Sequence, residues 1–138
     1  MFALLALAAA TAAPLDPAAL AQVSLDRVEW KTGPNNSSAL IAGDPTKAGL
    51  YVQLVKWHAG HMSRPHFHDH VRVITVLEGV WWVGTGRKYD PDHMTPIPAG
   101  TVVTHFAGGV HYDGARAEDT IIEIVGEGPV ATISAEDK

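Results

Sequence analysis

Cysteine is absent from this chain of 138 residues, which excludes disulfides, thiolate metal ligands and a cysteine nucleophile together. Any metal the protein holds must be bound through nitrogen and oxygen. Basic residues are scarce as well: ten Lys and Arg stand against fifteen Asp and Glu, a formal charge of −5, with no basic stripe or motif. That balance argues against nucleic acid as a partner. Long apolar runs are missing too, since Phe2 to Ala13 falls short of the roughly 20 residues that a membrane-spanning helix needs. After that run no stretch keeps a helical period, and there is no internal repeat or low-complexity tract. With 46% hydrophobic and 18% charged residues, the chain also lacks the polarity of a disordered protein.

What is present at the N-terminus suits the hydrophobic region of a signal peptide, and Ala19 and Ala21 before Gln22 form an A-x-A cleavage pattern. No Lys or Arg precedes the run, so a short N-terminal apolar segment in a cytoplasmic protein is the alternative. The expectation is export, periplasmic or secreted, with residues 1–21 as leader and 22–138 as one domain that does not contact the membrane once the leader is removed. A chain without Cys is compatible with the periplasm but does not demand it.

From Val23 onward the pattern is short strands punctuated by Gly, Pro and Asp. Tyr51 to Trp57 alternates like a half-buried strand. Val71 to Leu77 is rich in β-branched residues and turns at Glu78-Gly79 into Val80 to Val83. Further strands are expected near Thr95 to Ile97, Thr101 to Phe106 and Thr120 to Val125, with a loop over Gly84 to Asp92. Many short strands at this spacing predict an all-β sandwich or barrel.

Histidine carries the functional signal. His66 and His68 are two residues apart on an expected strand, and side chains at i and i+2 share a face, so both rings can converge on one cation. His111 recurs later in a Gly-rich setting. Three imidazoles leave open positions for water or substrate, as catalytic metal sites do. They suit Fe, Zn, Ni, Mn or Cu, and the choice among these divalent metals stays open. His70 continues the series, but residues at i and i+4 on a regular strand lie ~13 Å apart, so it is expected beside the ligands as a proton shuttle. His61 and His105 are expected at the surface or in structural hydrogen bonds, and His58 and His93 carry no spacing argument.

The glycines around these histidines extend the pattern. Gly60, His66-x-His68, position 72 and Gly79 keep the spacing of the first cupin motif, and Gly100, Gly108 and His111 keep that of the second, with Phe106 at its Pro position and Ala115 at its Asn position. Over Gly60 to Ala115 the chain resembles the cupin superfamily in its small, single-domain form. The resemblance implies a small antiparallel β-barrel, or jelly roll, and a metal held by His66, His68 and His111. It further implies dioxygenase-, isomerase- or decarboxylase-like chemistry on a small anionic or enolisable substrate. Small cupins are often dimers whose N-terminal strand pairs with a partner, a role open here to Val23 to Trp30.

Arg72 departs from the family, which places Glu there. A guanidinium offers no lone pair and cannot ligate. Counted along an extended strand, Arg72 faces inward with His66, His68 and His70. It either clamps a carboxylate or enolate beside the metal, or pairs with Glu78, Glu123 or another acid in a site that binds no metal. Arg72 and His70 are therefore the catalytic candidates, with Tyr112 as another weak base. Arg72, Trp82 and Tyr112 are the expected substrate contacts, while Trp57, Trp81, Phe67 and Phe106 are expected in the barrel lining. A non-catalytic barrel that binds or senses a small molecule or metal is the alternative function.

Overall fold

The computed structural model describes residues 12–138, so Phe2 to Ala13, the core of the expected leader, lies almost entirely outside the described residues. Eleven strands follow in chain order: β1 Lys31–Thr32, β2 Asn36–Ala42, β3 Gly49–Trp57, β4 His66–His68, β5 Arg72–Glu78, β6 Val80–Thr85, β7 Thr95–Pro98, β8 Val102–His105, β9 His111–Gly114, β10 Thr120–Gly128 and β11 Thr132–Ser134. The only helical elements among the described residues are two 3₁₀ turns, Leu25–Arg27 and Pro91–His93. None is long and apolar enough to cross a membrane.

The strands form two sheets, one ordered β1-β2-β3-β10-β5-β8 and the other β11-β4-β9-β6-β7. Every named pairing is antiparallel. Alternation dictates which side chains meet between them. On β5, Ile74 and Val76 are buried while Val73 is exposed, and on β10 Ile122 and Ile124 face the same interior. Trp81 from β6, fully buried, joins Tyr51, Ile74, Val76, Ile122 and Ile124 in the core between the sheets.

Two glycines position the site. Gly79 joins β5 to β6 at φ +72, a left-handed conformation that side chains resist, and a Cβ there would lie 2.6 Å from the Asp119 carbonyl. Gly84 on β6 lets the Tyr112 ring lie against bare backbone, since a Cβ would stand 2.2 Å from it. Val23 to Trp30 forms no strand: Ser24 hydrogen-bonds Asp26 locally and the chain closes into the Leu25–Arg27 turn. Side-chain bonds of this kind compete with extended pairing.

Candidate metal centre

Strands β4 and β9 are neighbours, and His66 and His111 are Cα partners across them. The i, i+2 spacing brings His68 to the same face. One ring nitrogen from each of His66, His68 and His111 falls within a cluster whose members all lie within 4.8 Å of one another. His68 and His111 are only 4% and 5% exposed.

Hydrogen bonding fixes how these rings face. Nδ1 of His66 lies 2.8 Å from the Arg64 carbonyl, that of His68 3.2 Å from the Ala131 carbonyl, and that of His111 2.9 Å from the Gly109 carbonyl. A carbonyl only accepts, so each Nδ1 carries the proton and each Nε2 keeps its lone pair. Nε2 of His68 and of His111 is buried with no partner among the described residues. Buried lone pairs left unmatched are costly, and a cation answers them. The same bonds orient the rings as the outer partners of metal-bound imidazoles do. The residues present therefore fit a divalent transition metal.

Burial keeps the His68 and His111 rings uncharged. It is the main cause that lowers the His68 pKa from 6.5 to about 3, with Arg72, His66 and His111 adding positive charge nearby. His111 is also lowered, by burial first, against the bond to Gly109 and the charge of Asp113. Neutral imidazoles are the form that ligates.

The cluster opens on a cavity of about 290 Å³ between the sheets, lined by Arg72, His105, Asp113, Trp57 and Trp81 among others. Its apolar wall comes from Ile74, Ile122 and Ile124, and Asn36, Ser38 and Gln53 from β2 and β3 line it as well. Arg72 and Asp113 are its only permanently chargeable side chains apart from the histidines. Asp113 is committed to the scaffold, accepting from Trp81 Nε1 at 2.9 Å through one oxygen and from Ser63 Oγ at 2.9 Å through the other.

Several expectations fail on strand phase. Arg72 does face the cavity, but among the described residues it forms no ion pair with Glu78, Glu123 or any other acid. Its partner is His105, whose Nδ1 lies 3.3 Å from Nη2. Burial lowers the Arg72 pKa, opposed by Tyr51 and Asp113. His70 is not inward: β4 ends at His68, and His70 is solvent-exposed beside Asp69, 3.0 Å from its carboxylate. Trp82 lies on the outer face, with the Arg116 guanidinium 3.9 Å above its ring, while its neighbour Trp81 takes the inner place. Tyr112 is buried on the outer side, its hydroxyl donating to the Asp90 carbonyl at 3.2 Å. Phe106 is 73% exposed and does not line the cavity.

Two cavity residues escaped sequence reasoning. Asp113 stands two residues after His111, so the alternation that paired His66 with His68 would have found it. His105, 8% exposed, sits with its ring centroid 3.9 Å from that of His111. It arrives there as the Cα partner of Arg72 across β5 and β8, a register that the sequence does not display.

No family model matches the chain, and no curated protein does. Solved structures do. The polyketide cyclase RemF from Streptomyces resistomycificus superposes with a TM-score of 0.70 at 14% identity, over 86% of this chain and 87% of that one. A protein with a double-stranded β-helix domain from Klebsiella pneumoniae gives 0.65 at 20% identity, over 84% and 97%. A cupin-like protein from Thermotoga maritima gives 0.59 at 18% identity, over 82% and 84%. Two antiparallel sheets closed on a histidine-lined cavity, matched to these neighbours along most of their length, give this chain the cupin, or double-stranded β-helix, fold.

Proposed function

We propose that the protein is a small metal-dependent enzyme, with His66, His68 and His111 holding one divalent transition metal and the cavity taking a small anionic or enolisable substrate. One observation carries this reading: the buried, unpartnered Nε2 atoms of His68 and His111 in rings whose Nδ1 protons are fixed by carbonyls. A metal held there supplies Lewis acidity toward an oxygen of the substrate. The protein's own groups supply the rest. Arg72 is a fixed cation on the cavity wall, and the carboxylate of Asp113 is its sole acidic counterpart there. A divalent cation added to that pair leaves an excess of positive charge, which an anionic substrate neutralises. Ile74, Ile122, Ile124 and Trp81 keep water away from the charges and strengthen their interaction.

RemF, a neighbour named as a polyketide cyclase, supports an enzymatic role for a chain of this fold. The non-catalytic binding barrel is a second reading, favoured by one feature: both oxygens of Asp113 are occupied, so the cavity holds no free carboxylate to act as a base. Metal analysis of the purified protein and of a His66→Ala/His68→Ala/His111→Ala variant tests the centre. About one metal per chain in the first and none in the second is expected, and equal content in both refutes the site. Turnover of a panel of β-diketones and 2-oxo acids by the loaded protein separates enzyme from binder.

A further inference from the structure

Arg72 and His105 stand opposite each other on β5 and β8, with Arg72 Nη2 3.3 Å from His105 Nδ1. A guanidinium has donors only, so in this pair the ring nitrogen must accept. The proton of the neutral His105 ring then sits on Nε2, the reverse of His66, His68 and His111. That Nε2 is buried and has no partner among the described residues, and the same is true of Arg72 Nε and Trp57 Nε1. All three side chains line one cavity. The acceptor that could have satisfied them, Asp113, already receives Trp81 and Ser63. The unmatched groups therefore divide into lone pairs on the ligand histidines and N–H donors on the facing wall.

We infer that His105 is a hydrogen-bond donor to the bound substrate and that Arg72 is the positioning residue that fixes its tautomer. The inference rests on His66, His68 and His111 holding a metal. It narrows the substrate to an oxyanion, a carboxylate or enolate, that presents only acceptors to the Trp57, Arg72 and His105 side while an oxygen faces the metal. It also explains how the site functions with Arg where a carboxylate ligand would stand. The guanidinium does not compete for the metal, and by accepting its hydrogen bond at Nδ1 His105 keeps its own proton on Nε2 and so does not ligate through that atom.

Nitrogen NMR on protein labelled with ¹⁵N-histidine and loaded with ¹¹³Cd tests this directly. Coupling of cadmium to Nε2 of His66, His68 and His111 is expected, with His105 uncoupled and protonated on Nε2. Arg72→Met should release His105 into a mixture of tautomers, and Arg72→Lys, which restores a donor, should return the original pattern. With acetate as probe, the His105 Nε2 proton should shift on binding, and His105→Phe should weaken acetate binding to the cadmium form about tenfold, the loss of one hydrogen bond to a charged group. Cadmium coupling to His105 as a fourth ligand would overturn the inference while leaving the metal centre standing. A proton on His105 Nδ1, or a pattern unchanged in Arg72→Met, would overturn it as well, as would undiminished acetate affinity in His105→Phe. Absence of cadmium coupling from all rings would refute the metal centre itself, and this inference with it. Since the tautomer pattern is read in each folded variant by its own spectrum, loss of fold in Arg72→Met is separated from loss of the donor by the Arg72→Lys spectrum.

Discussion

The two walls of the cavity use the same side chain in opposite ways. On β4 and β9, histidine Nδ1 atoms meet backbone carbonyls and turn lone pairs inward. On β8, His105 Nδ1 meets a guanidinium and turns a proton inward. Imidazole has no fixed polarity, and the partner of one nitrogen decides what the other can do. A cavity with an accepting wall and a donating wall suits a cation on one side and an oxyanion between the two.

Breaking the accepting wall should have the largest effect. His111→Ala removes the one ring of the cluster that β9 supplies, and on the proposed reading metal affinity should fall by about a hundredfold or more, measured by competition with a chromophoric chelator. A fall of less than tenfold would mean that His111 is not a ligand. Next in size is a contrast between adjacent residues on β6. Trp81→Ala should cost roughly 3–5 kcal/mol in urea unfolding, because it empties the core and strands the Asp113 carboxylate. Trp82→Ala should cost only about 1 kcal/mol, the scale of its contact with Arg116, and leave metal affinity unchanged. Equal effects on affinity would return Trp82 to the cavity.

That contrast also shows how far the fold and site could be read in advance. Strands β3, β5, β6, β7, β8 and β10 are visible because alternation and β-branched runs mark them, and the glycine and histidine spacings carry the cupin resemblance. Strands β2, β9 and β11 are not. Asn36–Ala42 opens with small polar residues, and the other two are short strands of three or four residues without a hydrophobic period. The His66, His68 and His111 cluster was legible because the first two share a face by their i, i+2 spacing and the third falls in the Gly100, Gly108, His111 spacing of the second motif. Trp81 and Trp82 were not distinguishable, since two adjacent aromatics fit either phase and a one-residue slip exchanges the faces. His105 depends on cross-strand register with Arg72 and so on tertiary structure. His70 was misplaced because Asp69 leaves the strand to accept from the Ala131 amide at 2.8 Å, which ends the alternation at His68.

A smaller effect distinguishes the walls in the metal-free protein. Burial, then neighbouring positive charge, lowers the pKa of His68 from 6.5 to about 3 and that of His105 from 6.5 to about 2. Between the lowered and ordinary values the unfolded chain binds protons that the folded chain refuses. Stability is therefore complete above about pH 6.5 and declines as pH falls toward 3. Urea midpoints of chelator-treated protein, followed by tryptophan fluorescence, should drop over that range. The slope should be shallower in His105→Phe, which removes one of the three refusing groups, His111 being lowered as well. An identical slope would show that His105 is protonated freely in the folded state.

The smallest effects separate two adjacent surface residues and ask whether support for the accepting wall reaches the exterior. The Asp69 carboxylate accepts from the Ala131 amide, and the Ala131 carbonyl lies 3.2 Å from His68 Nδ1. The bond to Ala131, then that to His70, holds the Asp69 carboxyl below its ordinary pKa. Among the described residues His70 pairs with Asp69 alone, from an exposed position, and exposed pairs contribute little. Asp69→Ala should loosen the start of β11 and weaken metal binding by less than the about tenfold seen when a direct outer partner of a ligand is lost. His70→Ala should leave metal affinity within error of the parent. A larger loss in His70→Ala than in Asp69→Ala would reverse the assignment, placing the imidazole rather than the Asp69–Ala131–His68 chain in support of the metal.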